Sequence, residues 1–190
     1  MERFDLYTAD REKTGLTMAR GDPTPEGLYR LVVHVCIFDS DGRMLIQQRQ
    51  PFKSGWPNLW DVSVGGAAVC GDTSRSAAER ETLEELGLSV DLKDVRPSLT
   101  IHFEHGFDDY YVLTLPVDPA ALRLQPEEVQ AARWAGREEI LGMIDDGSFI
   151  PYEKSLIELL FFLRNHRSSH TRSDNSARKR DANRSASRTA

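Results

Sequence analysis

The segment from Asp72 to Gly87 constrains this chain more than any other. Asp72-Thr73 is a helix-start pair and Gly87 a helix-stop residue, so about four helical turns lie between them. The second half reads Arg80-Glu81-Thr82-Leu83-Glu84-Glu85-Leu86. At about 100° per residue, Glu84, Glu81 and Glu85 share one face. Ala78, Thr82 and Leu86 make a neighbouring i, i+4, i+8 stripe suited to packing on a sheet. The acidic face is unfavourable twice over. Like charges at i,i+3 and i,i+4 repel by a few tenths of a kcal/mol per pair. Carboxylates in the last turn also meet the negative end of the helix dipole, at roughly 0.3–1 kcal/mol each. Local rules broken this often within five residues point to a function that benefits.

Three carboxylates beside Gly65-Gly66 suit a hard divalent cation, Mg²⁺ or Mn²⁺, which takes oxygen ligands and keeps waters that a phosphate can displace. The glycines allow a backbone carbonyl, that of Gly66, to come close. A solvent-facing acidic helix balanced by Arg75 and Arg80 has the same composition, and the carboxylates alone leave the two readings level.

The rest of the chain supplies strands for such a helix to pack on. Tyr29–Phe38 and Arg43–Arg49 read as a hairpin about Asp39-Ser-Asp-Gly42, preceded by a weak hairpin or irregular extension over residues 3–20. Asp61–Val64 reads as a short strand entering Gly65-Gly66. Ser98–Phe103 and Tyr110–Leu115 read as strands around a turn at His105-Gly-Phe-Asp-Asp109, and Val129–Trp134 as another strand. Helices follow at Arg137–Ile144 and Glu153–His166. Strands and helices are mixed without regular alternation, which predicts an α+β or layered α/β/α fold. At 190 residues the chain fits one domain.

Charge divides the chain. Residues 167–190 carry seven basic and two acidic side chains and no Leu, Ile, Val or aromatic residue, while 1–166 hold 17 basic and 28 acidic ones. The expectation is a domain over 1–166 and a disordered basic tail over 167–190. An acidic body argues against a nucleic-acid-binding fold, leaving the tail as the one route to such a partner. The longest apolar runs, Leu31–Phe38 and Leu156–Leu163, fall far short of a membrane span. A start without an apolar signal and only two cysteines, Cys36 and Cys70, predict a cytoplasmic protein.

Spacing sharpens the reading of the acidic helix. Gly66, five residues, Asp72, seven residues, then Arg80-Glu81-Thr82-Leu83-Glu84-Glu85-Leu86-Gly87-Leu88 closely resembles the Nudix box, matching seven of nine defined positions. Asp72 stands where the box has Glu, and Thr82 where it has an aliphatic residue. The resemblance implies a Nudix α/β/α sandwich with a mixed sheet, and hydrolysis of a diphosphate joined to another group. It implies that Glu81, Glu84 and Glu85 ligate Mg²⁺ or Mn²⁺ with the Gly66 carbonyl. Arg80 would orient a glutamate, Asp72 would fix the loop–helix junction, and Glu81 is the preferred general base.

A wider resemblance covers roughly residues 1–165. Thr14-Gly15, Leu31-Val-Val-His34, Leu45-Ile-Gln-Gln-Arg49, Lys53 and Trp56-Pro-Asn-Leu-Trp60-Asp-Val-Ser-Val-Gly65-Gly66 are similar to the branch that holds type 1 isopentenyl-diphosphate isomerases and hydrolase-like relatives. The isomerases place a catalytic Cys where Gly65 stands and a metal-binding His where Ala67 stands, so the resemblance implies a hydrolase. Arg49 and Lys53 match positions that hold the substrate diphosphate. Asp109, in the expected turn, is a candidate supporting group, one residue of register being open. His34, Trp56 and Trp60 read as structural. The apolar last helix reads as core, with room for a homodimer contact. Two rivals stand beside the hydrolase reading: isomerisation of a prenyl diphosphate, and a non-catalytic module that binds a nucleotide or a protein.

Overall fold

A computed structural model describes residues 2–166. The basic-tail expectation lies outside the described residues.

Two short strands open the chain, β1 (Arg3–Tyr7) and β2 (Lys13–Ala19), paired as an antiparallel hairpin. The main sheet holds β3 (Arg30–Phe38), β4 (Met44–Arg49), β5 (Trp60–Asp61), β6 (Val64–Ala67), β7 (Leu99–Phe103), β8 (Gly106–Thr114) and β9 (Val129–Ala135). Its central path runs β5-β4-β3-β8-β7, with β6 added on β3 and β9 on β4. The β3–β8 pair is parallel and the other pairs are antiparallel, so the sheet is mixed. Among the described residues three α-helices cover it: α1 (Ser74–Leu86), α2 (Arg137–Asp145) and α3 (Lys154–Leu163).

Alternation along the strands of the main sheet builds a core on each of its faces. Leu31, Val33, Val35 and Ile37 of β3 join Ala77, Ala78 and Leu86 of α1 on one face. Cys36 and Phe38 join Ile140 and Met143 of α2 and Ile157 and Leu160 of α3 on the other. The result is the α/β/α layering expected, with a mixed sheet in a single domain. The helix stripe is in place too, because Ala78, Thr82 and Leu86 are all fully buried.

Two strand boundaries differ from expectation. The single strand over Asp61–Val64 is two, because the chain changes partner there: β5 pairs with β4, whereas β6 pairs with β3. Since β3 meets β4 only at Phe38–Met44, the sheet divides beside β3. Ser63 closes the division, accepting from Ile37 N at 2.8 Å and donating to Leu45 O at 2.5 Å. The second difference is β8, which starts at Gly106 rather than Tyr110. It pairs with β3 from Arg30 onward, so Asp108 and Asp109 lie in the strand and the turn shrinks to Glu104-His105.

Candidate active site

Helix α1 is held at both ends by its own sequence. Thr73 is the N-cap and forms a reciprocal capping box with Ser76, and Gly87 takes the left-handed conformation at φ 67°. Asp72 braces the loop before it, accepting from Val69 N at 3.1 Å and Ser76 Oγ at 3.0 Å. Arg80 ties loop to helix, reaching Asp72 Oδ2 at 2.9 Å and Ala67 O at 3.1 Å. Its Nη1 also donates to Glu81 Oε1 at 2.9 Å and Glu84 Oε2 at 3.0 Å.

The three glutamates differ in setting. The Glu84 side chain is 47% exposed. Glu81 is buried, and burial pushes its carboxyl up to about 7 against the pull of the Arg80 guanidinium. Glu85 is buried more deeply; burial first, then the charges of Glu81, Asp61 and Glu128, raises its proton affinity well above the ordinary carboxylate range. Gln47 of β4 donates to Glu85 Oε2 at 3.0 Å, and its own Oε1 is buried with no partner.

Gly66 packs directly on Glu81. A Cβ at position 66 would fall 2.1 Å from Glu81 Cδ, so the close approach requires glycine. The neighbouring Gly65 faces the other side of β6, onto a cavity of about 480 Å³ lined also by Arg30, His34, Arg49, Asp61 and Asp108. Asp61 is 4% exposed and accepts from Tyr152 Oη at 2.8 Å and Val62 N at 2.7 Å. Burial raises its carboxyl, opposed by His34, the Tyr152 bond and Arg49.

These oxygen donors fit a divalent ion in their chemistry but not yet in their arrangement. The unpartnered Gln47 Oε1 and two buried carboxylates of raised proton affinity suit a hard cation, which would relieve the charge crowding. Among the described residues, however, no three His, Cys, Asp or Glu side chains converge closely enough to hold one as they stand. Arg80 engages one oxygen of Glu81 and one of Glu84, so an ion would compete with its guanidinium for these carboxylates.

Comparison with known proteins places this geometry. The NUDIX domain family model matches residues 28–159. The chain belongs to the Nudix family.

Relatives of this Nudix chain include Nudix hydrolases and isopentenyl-diphosphate isomerases. It is 47% identical over 170 residues to an uncharacterised Nudix hydrolase of Listeria monocytogenes, covering 90% of this chain and 99% of that one. It is 31% identical to a Nudix hydrolase of Deinococcus radiodurans, covering 77% and 85%. An isopentenyl-diphosphate Delta-isomerase of Serratia proteamaculans is 33% identical over 73% of this chain and 79% of its own. Among solved structures, a Deinococcus radiodurans crystal structure superposes with a TM-score of 0.66 at 29% identity, covering 84% of this chain and 97% of that one. These likenesses place the chain with the Nudix hydrolases.

The remaining candidates fall in different places. Arg49 lines the cavity, donating through Nε to Gly55 O at 3.1 Å with Nη1 3.8 Å from Asp61 Oδ2. Lys53 is paired with Glu128 and is absent from the cavity lining. Asp109 lies in β8 rather than in the expected turn, and is fully buried on the α1 side, opposite the cavity. Arg11 grips it at 3.1 and 2.6 Å, and Ser74 Oγ and Thr100 Oγ1 each donate to it at 2.6 Å. It therefore ties the N-terminal hairpin and the start of α1 to the sheet. Asp109→Ala is expected to lower stability by roughly 2–4 kcal/mol, read as a fall in urea midpoint, with KM unchanged at temperatures where the variant is folded. Its neighbour Asp108 is the one that lines the cavity. Sequence reasoning also passed over Gln47, Asp61 and Glu128; a polar residue at an otherwise apolar strand position was the available signal for Gln47.

Proposed function

We propose that this Nudix chain is a divalent-metal-dependent hydrolase that cleaves a diphosphate linkage in a small organic or nucleoside diphosphate derivative. The carrying observation is the pair of buried carboxylates, Glu81 and Glu85, beside the unpartnered Gln47 Oε1 and against Gly66. Glu81, Glu84, Glu85 and the Gly66 carbonyl would hold Mg²⁺ or Mn²⁺. Such an ion, when bound, neutralises phosphate charge and acidifies water for attack on phosphorus. Arg80 holds the loop and helix in register and keeps Glu81 oriented until an ion competes for it. Glu81, held by Arg80 and packed against Gly66, is the preferred group to take the proton of the attacking water. Arg49 would receive the diphosphate, while the Lys53 ammonium is shared with Glu128.

Hydrolysis is favoured over double-bond isomerisation because no thiol lines the cavity among the described residues. Cys36 is buried in the α3-side core, and Cys70 is exposed and donates a hydrogen bond from Sγ to Asp5 Oδ1 at 3.1 Å. Two free thiols also support the cytoplasm as the compartment. No helix among the described residues is long and apolar enough to cross a membrane.

The test is incubation with nucleotide sugars, dinucleotides, nucleoside di- and triphosphates and prenyl diphosphates, followed by ³¹P NMR. Cleavage is expected with Mg²⁺ or Mn²⁺, none in EDTA, and at least about a 100-fold loss in Glu85→Gln. Tight binding without any phosphorus change would replace the hydrolase with a binding module. A prenyl diphosphate isomerised rather than cleaved would restore the isomerase.

A further inference from the structure

The cavity beside Gly65 has a feature that a diphosphate does not explain. Alternation along β8 and β3 brings Asp108, Tyr110 and His34 to the same wall. The Asp108 side chain is 23% exposed there; its carboxylate lies 3.4 Å from His34 Nε2 and has no other hydrogen-bond partner among the described residues. His34 is locked in place. Its ring stacks on Tyr110 with centroids 4.5 Å apart and planes 11° apart, and its unpartnered Nδ1 edge lies against Gly65, where a Cβ would come within 3.2 Å. The second carboxylate of the cavity, Asp61, is already satisfied by Tyr152 and Val62 N and lies beside Arg49.

A carboxylate with spare acceptor capacity repels an incoming anion unless that ligand brings donors for it. We propose that Asp108, held by His34, is a specificity-determining residue: it accepts hydrogen bonds from N–H or O–H groups on the organic half of the substrate. This rests on the diphosphate-hydrolase reading. It selects amine- or hydroxyl-bearing diphosphates over hydrocarbon-bearing ones, because a prenyl chain would cover Asp108 and leave it desolvated and unpaired. Trp56, half-exposed at the same cavity with φ 50°, offers a flat face for a ring on that organic half.

The experiment compares wild type, Asp108→Asn and Asp108→Leu on adenosine and cytidine diphosphates and on dimethylallyl diphosphate, with phosphate release giving kcat and KM. Asp108→Leu is expected to lower kcat/KM for the nucleoside diphosphates by about 100-fold, mainly through KM, without lowering it for dimethylallyl diphosphate. Asp108→Asn, which keeps one acceptor oxygen, should fall between. An equal loss on both classes, or a wild-type preference for the prenyl substrate, overturns the assignment. Calorimetric binding of cytidine diphosphate separates the two layers. If wild type turns over nothing but binds, and Asp108→Leu weakens binding at least tenfold, the hydrolase reading fails and Asp108 stands. Absence of wild-type binding to all three probes overturns both. Should Asp108→Leu fail to fold, His34→Asn supplies the same comparison, with a smaller shift in the substrate ratio expected.

Discussion

Glu81→Gln is expected to reduce turnover by about 10²–10³-fold while making the metal-free protein more stable at neutral pH. Both effects come from one carboxyl. In the folded chain burial pushes it up to about 7, against about 4.5 for a glutamate in the unfolded chain. Between those two pH values the folded state holds a proton that the unfolded state has released. Stability therefore falls as pH rises from about 4.5 through 7 and stays lower above it. The deficit is of order 3 kcal/mol, or roughly 6–12 °C in a domain of this size. Glutamine is near in shape and has no proton to lose, so the variant should melt higher than wild type in EDTA at pH 8 and about level with it at pH 4.5. Scanning melts of both proteins in EDTA across that range measure the difference. Parallel curves would show that burial does not control the Glu81 carboxyl. Adding Mg²⁺ should raise the wild-type melting temperature more than that of the variant, because an ion recovers what burial costs the charge.

What could be read from the sequence was what depends on near neighbours. The ends of α1 follow from Thr73 and Gly87, and its buried and acidic faces from helical spacing over eight residues. The layering followed because strand and helix periods are local patterns as well. What could not be read shares a different cause. Whether Asp108 or Asp109 faces the cavity depends on strand parity, and parity is set where β8 joins β3 at Arg30, more than seventy positions away. Two adjacent aspartates read as a turn by propensity, yet Asp109 is satisfied inside the strand by Arg11, whose own position comes from the first hairpin. Lys53 looked free because its partner, Glu128, is 75 residues on. Asp61 was hidden by the partner change between β5 and β6, which turns one expected strand into the edge of the site.

Gly66→Ala is expected to abolish most activity with little loss of stability, and the contrast separates positioning from folding. The added Cβ would lie 2.1 Å from Glu81 Cδ, 2.3 Å from Oε1 and 2.6 Å from Cγ. Contacts so short cannot persist, and the atoms in the way belong to the outer part of a flexible side chain. Glu81 can therefore swing aside without moving the backbone of α1, which its capping box and Gly87 hold in place. The swing would take Oε1 from its 2.9 Å contact with Arg80 and from the face it shares with Glu85. A fall in kcat/KM of about 100-fold is expected, with stability changed by less than about 1 kcal/mol. Gly142→Ala is the matched control. Its Cβ meets nothing within 4 Å inside α2, so activity should hold and stability rise by up to about 1 kcal/mol. Because Gly66→Ala acts through Glu81, the two changes should not add: Gly66→Ala combined with Glu81→Gln should be little slower than Glu81→Gln alone. Full additivity in that cycle would mean that the alanine acts on something other than Glu81, and the close packing of Gly66 on Glu81 would then have no part in catalysis.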